Sequence, residues 1–315
     1  MAKTKKITKE EEEEVQSVYI NPLTDFGFKK LFLNKELLIA FLNDVVGTDI
    51  KEVQYRPTEG LGEYIEERTA VFDLLCTTEK GEYFIVEMQL GKQTYFRDRA
   101  LFYASHIIRK QGPRKKYWDY KLKTVYIVSI LDFIIFKEEI AKNEIIERVY
   151  LYRENTKTLF SNKLNMIFIE LPKFNKTAAE LQNNMEIWLF LLQNTFALNA
   201  CPNEITGKIF KRFLEIAEQK HLTPTEMETY KRSLKRSYQM RDIANCARME
   251  GREEGKMEGK KEGRMEGRME GRMEGRMEGS RQFALKLLQK NTPVDEIVFL
   301  TELSKEQVQD LLQEN

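Results

Sequence analysis

Two β-rich runs joined by three residues constrain this chain more than any other stretch. Ala70-Val-Phe-Asp-Leu-Leu-Cys-Thr-Thr78 and Glu82-Tyr-Phe-Ile-Val-Glu-Met-Gln-Leu90 flank Glu79-Lys80-Gly81. A three-residue connection with Gly third supplies the positive φ that a bulge-closed hairpin turn needs. Pairing Thr78 with Glu82 then sets Asp73 opposite Glu87. Side chains alternate along a strand, so Asp73, Glu87 and Gln89 share one face with Val71, Leu75, Tyr83 and Ile85. Two carboxylates on an otherwise apolar face are costly unless something compensates them. A divalent cation is the economical partner; an exposed sheet face is the alternative.

The flanking elements follow from periodicity. Thr24 or Asp25 can cap a helix carrying Phe28, Leu31, Phe32, Leu37, Leu38, Phe41 and Leu42. Ile50 to Tyr55 alternates like a strand. Thr94 to Lys110 spaces Tyr95, Arg99, Phe102, His106 and Arg109 by three and four, as a helix does. Arg99 and Tyr103, one turn apart, can point at one place. Leu122 to Leu131 is a nearly continuous apolar strand, the pattern of one buried on both faces. Ile145 to Tyr152 and Asn165 to Leu171 read as further strands, and residues 177–197 and 203–247 mainly as helices punctuated by Pro202 and Pro224.

Charge narrows the partners. Lys and Arg total 51 against 50 Asp and Glu, a net charge of +1, so any contact with a polyanion must come from local patches. One such patch is Arg109 to Lys123, which interleaves basic residues, among them Arg114, Lys115 and Lys116, with Tyr117, Trp118 and Tyr120. That mixture suits phosphate contact with base stacking, or a solvated loop. It follows the helix bearing Arg99, which would let it flank the acids. Three dispersed cysteines without CxxC indicate neither a disulfide framework nor a zinc site. The most apolar run, Val125 to Phe136, is too short to span a bilayer, and the charged N-terminus has no apolar core of a signal peptide. The expectation is a soluble, cytoplasmic chain.

Several segments together resemble a known family. Asp73 with Glu87-Met88-Gln89 is similar to the PD-(D/E)XK nuclease motif, with Gln89 where lysine is usual. Thr24-Asp-Phe-Gly-Phe-Lys-Lys-Leu-Phe32, Arg99-Ala-Leu-Phe-Tyr103 and Phe168-Ile-Glu-Leu-Pro-Lys-Phe174 resemble the narrower Rpn-type recombination-promoting nucleases, also described as PD-(D/E)XK family transposases. The resemblance implies an α/β, restriction-endonuclease-like core in the order α-β-β-β-α-β. It further implies a metal-dependent DNA endonuclease, associated with recombination or mobile elements. Asp73 and Glu87 would hold Mg²⁺ or Mn²⁺, with Gln89 orienting water or phosphate by hydrogen bonds. By their own placement, apart from the resemblance, Arg99 and Tyr103 would contact DNA phosphate or hold the site, or else only pack the helix, and Arg114, Lys115 and Lys116 would contact DNA. A catalytically inactive, DNA-binding or oligomeric assembly protein on the same fold is the competing reading.

The organisation expected is a charged tail over 1–18, the nuclease-like core with added strands over 19–175, and a helical region over 176–250. A Gly-Arg-Met-Glu repeat over 251–279 precedes a small helical tip at 280–315. The repeat holds eight of the sixteen glycines, one at every fourth position. Residues four apart on a helix drift by about 40° per repeat, and Arg and Glu two apart do not face each other. With each Gly costing about 1 kcal/mol relative to Ala, an isolated helix should be poor. A flexible spacer and a helix stabilised by self-association both remain, the second making the chain a homo-oligomer.

Overall fold

The computed structural model describes residues 17–57, 72–91, 93–112, 118–138 and 141–313. They divide into two units, Met1–Ala244 and Asn245–Asn315.

Unit one is built on a six-stranded mixed sheet in the order β1-β2-β3-β4-β6-β5. The strands are β1 (Val53–Tyr55), β2 (Leu74–Thr78), β3 (Tyr83–Gln89), β4 (Val125–Leu131), β5 (Ile146–Tyr152) and β6 (Leu159–Glu170). The β2–β3 hairpin adopts the register its turn predicts, with Leu74 opposite Val86 and Thr77 opposite Tyr83. Gly81 closes it at φ 76°, its N–H donating to Thr78 O at 2.9 Å. β3, β4 and β6 run parallel, so Gln89, Leu131 and Glu170 end side by side at one edge of the sheet. Helices α1 (Asp25–Phe32), α2 (Lys35–Val46), α3 (Phe96–Lys110), α4 (Asn184–Asn194) and α5 (Lys208–Ala217) cover the faces, with the first turns of α6 (Pro224–Leu288).

Strand alternation sorts the apolar residues into two cores. Leu74, Cys76, Phe84, Val86, Val128, Ile130, Ile167 and Ile169 pack with α1, α2, α4, α5 and the start of α6 around Trp188. Leu75, Ile85, Ile127, Leu131, Met166 and Phe168 pack against Phe96, Ala100, Ala104 and Ile107 of α3. Burial pushes the Cys76 thiol up to about 12, so it sits neutral in the first core.

Three expectations change. The helix expected across 24–42 is two helices, because the Asn34 side chain accepts from Leu37 N–H at 3.1 Å and starts α2 afresh. Of the two caps the sequence offers for α1, Thr24 is the one used, its hydroxyl accepting from Gly27 N–H at 3.0 Å; Asp25 lies in the first turn and pairs with Lys29 at 2.8 Å. On α3 the buried residues are Phe96, Ala100, Ala104, His106 and Ile107, so of the residues spaced by three and four His106 is buried while Tyr95 and Phe102 are exposed. β6 is longer than its apolar signal, since Leu159 to Lys163 are exposed or half-buried and pair with β5 beyond the rest of the sheet.

A strap after β4 holds the start of α3. Glu170, fully buried, accepts from the Ile135 and Phe136 N–H groups and meets Lys173 Nζ at 2.6 Å. The strap's Ile135 O in turn accepts from Arg97 Nη2 at 2.7 Å. A buried acid is tolerable there because donors surround it.

Unit two contains the repeat, helical within α6, followed by α7 (Val294–Thr301) and α8 (Lys305–Gln313). Ala284, Ile297, Leu303, Val308 and Leu311 form its core. Ser304 caps α8, its hydroxyl accepting from Gln307 N–H at 3.1 Å while Gln307 Oε1 accepts from Ser304 N–H at 2.9 Å.

Candidate active site

Backbone pairing of β2 with β3 gives way, at the open end of the hairpin, to pairing through two acids. Asp73 N–H donates to Glu87 Oε1 at 3.2 Å, and Met88 N–H donates to Asp73 Oδ2 at 2.8 Å. The two carboxylates are thereby held together, Glu87 only 2 % exposed. Burial, then the charge of Asp73, pushes the Glu87 carboxyl up to about 8. Burial also raises Asp73, and the nearby negative charge of Asp25 adds to it; Lys29 and Arg99 pull the other way.

Helix α3 supplies the cation. Arg99 Nη2 lies 3.3 Å from Glu87 Oε2, and Nη1 lies 3.2 Å from Gln89 Oε1 and 2.7 Å from Gln93 Oε1. Its Nε donates to Tyr103 Oη at 2.9 Å. Gln89 Nε2 donates to Glu87 Oε2 at 3.0 Å, and Gln93 Nε2 donates to Gln89 Oε1 at 2.9 Å. Asp73, Glu87, Gln89, Arg99 and Tyr103 thus come together.

Arg114, Lys115, Lys116 and Val71 lie outside the described residues. The flanks of that basic segment sit at the far end of α3 from Arg99. Lys123 N–H donates to Gln111 Oε1 at 2.7 Å, and Lys123 Nζ donates to Lys80 O in the hairpin turn at 3.2 Å. The expectation is a segment that flanks the acids; its described flanks lie instead by the hairpin turn, because a 15-residue helix carries the chain about 22 Å along.

Sequence reading missed Gln93 and Ser129. Gln93 lies in the connection between β3 and α3, where no periodicity marks it. Ser129 stands beside Glu87 in the parallel register, on the same face, fully buried. Its hydroxyl has no hydrogen-bond partner among the described residues. Asp132, beyond β4, donates its N–H to Gln89 O at 3.1 Å and faces Arg241 of α6 at 3.7 Å.

The donor set fits a hard cation. Two hard carboxylates raised by burial, one of them also by the other's charge, and an orphaned hydroxyl beside them, make a place where positive charge and water are favoured. Mg²⁺ accepts one or two carboxylates and keeps much of its water. Among the described residues no cluster of three or more His, Cys, Asp or Glu forms, so Asp73 and Glu87 would be its acidic ligands.

With two acids at the mouth of a hairpin under a basic helix, the comparison with known families is informative. A family model described as PD-(D/E)XK nuclease family transposase matches residues 22–247. The chain belongs to that family. The match covers the sheet, nearly all of both cores and the start of α6, so the acid pair of this PD-(D/E)XK transposase-family protein stands inside the shared domain. No curated protein and no solved structure matches the chain. Among the described residues no helix is long and apolar enough to cross a membrane.

Proposed function

We propose that this PD-(D/E)XK family member is a Mg²⁺- or Mn²⁺-dependent endodeoxyribonuclease of the cytoplasm, acting in recombination or in mobile-element DNA. The observation that carries the reading is the Asp73–Glu87 pair at the open end of the hairpin, Glu87 buried and Asp73 half-buried, each carboxylate accepting from a backbone N–H of the opposite strand. Asp73 and Glu87 would hold the ion; when bound, it would polarise the scissile phosphate and lower the pKa of a water. Asp73 keeps Glu87 in place through its N–H, and Glu87 is oriented further by Gln89. Gln89, neutral, acts only by hydrogen bonds. Arg99 and Tyr103 border the acids from α3, where a phosphate reaching the pair would meet them. Arg114, Lys115 and Lys116 would add backbone contacts along the DNA. The repeat of α6 would join copies of the chain.

The competing reading is an inert DNA-binding or assembly protein, favoured by Gln89 in place of lysine and by the two-acid ligand set. One assay separates them. Purified protein with supercoiled plasmid, with and without Mg²⁺ or Mn²⁺, should nick the DNA only with metal, and Asp73→Ala or Glu87→Ala should abolish nicking while the fold persists. Equal nicking by both variants and wild type removes the assignment; no nicking by any of them supports the inert reading.

A further inference from the structure

We propose that Arg99 supplies, from helix α3, the positive charge that position 89 of β3 lacks, with Gln89 as its adaptor. The proposal rests on the nuclease reading and assigns a division of labour within that site. A lysine at position 89 would end about one bond beyond the amide of Gln89. That space borders the guanidinium of Arg99, which touches Gln89 Oε1 at 3.2 Å and Glu87 Oε2 at 3.3 Å. An amide suits the junction because it presents both an acceptor and donors. Gln89 accepts from Arg99 through Oε1 and donates to Glu87 through Nε2 at 3.0 Å. Gln93 holds the same nitrogen, accepting from Nη1 at 2.7 Å and donating to Gln89 at 2.9 Å.

The charge is placed to act outward as well as inward. Arg99 is 29 % exposed at its side chain while Glu87 is 2 % exposed, so one cation bridges buried acid and solvent. A phosphate approaching the acids meets the guanidinium before it meets Glu87. Tyr103, Gln89, Gln93 and Glu87 take four of the guanidinium's five N–H groups, which leaves one Nη2 N–H and the charge itself for a phosphate oxygen. Position 89 and position 99 are therefore a matched pair. Lysine at 89 beside Arg99 sets two cations in contact and removes one acceptor of the guanidinium, whereas lysine at 89 without Arg99 restores a single cation to the same place.

Charge relocation tests this. Arg99→Met should lower metal-dependent nicking on the order of 100-fold, the cost of removing one preorganised donor to developing charge. Gln89→Lys alone should impair nicking, and Gln89→Lys/Arg99→Met should recover at least about tenfold over Arg99→Met. Lysine at 89 is thus harmful with Arg99 and beneficial without it. A second readout is independent of turnover: DNA affinity in Ca²⁺ against salt. The slope should fall by about one phosphate contact in Arg99→Met and return in the double variant. Thermal melts accompany every variant, and Arg99→Gln, which keeps donors toward Glu87 and Gln93, replaces Arg99→Met should the latter not fold. A double variant that melts like wild type yet improves on Arg99→Met in neither readout overturns the proposal, as does Arg99→Met nicking at the wild-type rate. If wild type binds DNA in Ca²⁺ but never cuts it, the nuclease reading falls and the salt slopes alone decide the role of Arg99. A wild type that neither binds nor cuts overturns both.

Discussion

Removing the ionisable group of Glu87 should change how unit one's stability depends on pH. Its carboxyl is raised from 4.5 to about 8 by burial and then by Asp73. A raised folded-state pKa means the protonated acid favours the fold. That contribution is complete below about 4.5, declines as the unfolded chain ionises, and is gone above about 8. Each pH unit within the window is worth about 1.4 kcal/mol, so metal-free wild type should lose roughly 3 kcal/mol from about pH 5.5 to 7.5 through Glu87. Glu87→Gln cannot titrate, and its stability relative to wild type should rise by that amount over the same interval. Any cost of the new amide beside Gln89 is the same at both pH values and cancels. The assay is urea denaturation in chelator, followed by fluorescence of Trp118 and Trp188, both in unit one and together the chain's only tryptophans. Saturating Mg²⁺ should oppose the wild-type decline, adding about 2.7 kcal/mol at a hundredfold excess over Kd, since ligands must be deprotonated to bind. Parallel pH curves for wild type and Glu87→Gln would refute the reasoning, and would mean that Arg99 keeps Glu87 ionised in the fold.

Gly27→Ala should cost at least about 3 kcal/mol in a thermal melt, because an added Cβ would lie 2.0 Å from Asn21 O in the turn that seats α1; a melt within about 1 kcal/mol of wild type would show that Asn21 can move away. In the repeat, the Cβ of an alanine at Gly263, Gly267 or Gly271 meets nothing within 4 Å. Substituting all three should increase helical circular dichroism and add about 1 kcal/mol per site to helix stability; a fall in mass by light scattering would instead reveal close helix packing between copies. Truncation after Met249 should leave unit one folded and able to nick DNA, since the buried residues of both its cores end at Leu234; unfolding of the truncated chain would show that α6 depends on the repeat.

The acid pair was legible in the sequence because everything that makes it is local. A three-residue turn ending in Gly81 sets the register, and a period of two carries that register to Asp73 and Glu87 without reference to the rest of the chain. The double-sided burial of β4 was legible too, since a strand covered on both faces needs an unbroken apolar run. The break at Asn34 was not, because apolar spacing continues across it and only the side-chain cap ends one helix and begins the next. The site's cation was legible as a residue but not as a function. Arg99 and Tyr103 lie one turn apart by spacing alone, yet what they point at depends on which stripe of α3 meets the sheet, and the small residues Ala100 and Ala104 decide that by letting the helix close on β3 and β4. Gln93 carries no pattern at all. Its place follows from the crossover between two parallel strands, where packing of distant elements rather than neighbouring residues determines what one side chain can reach.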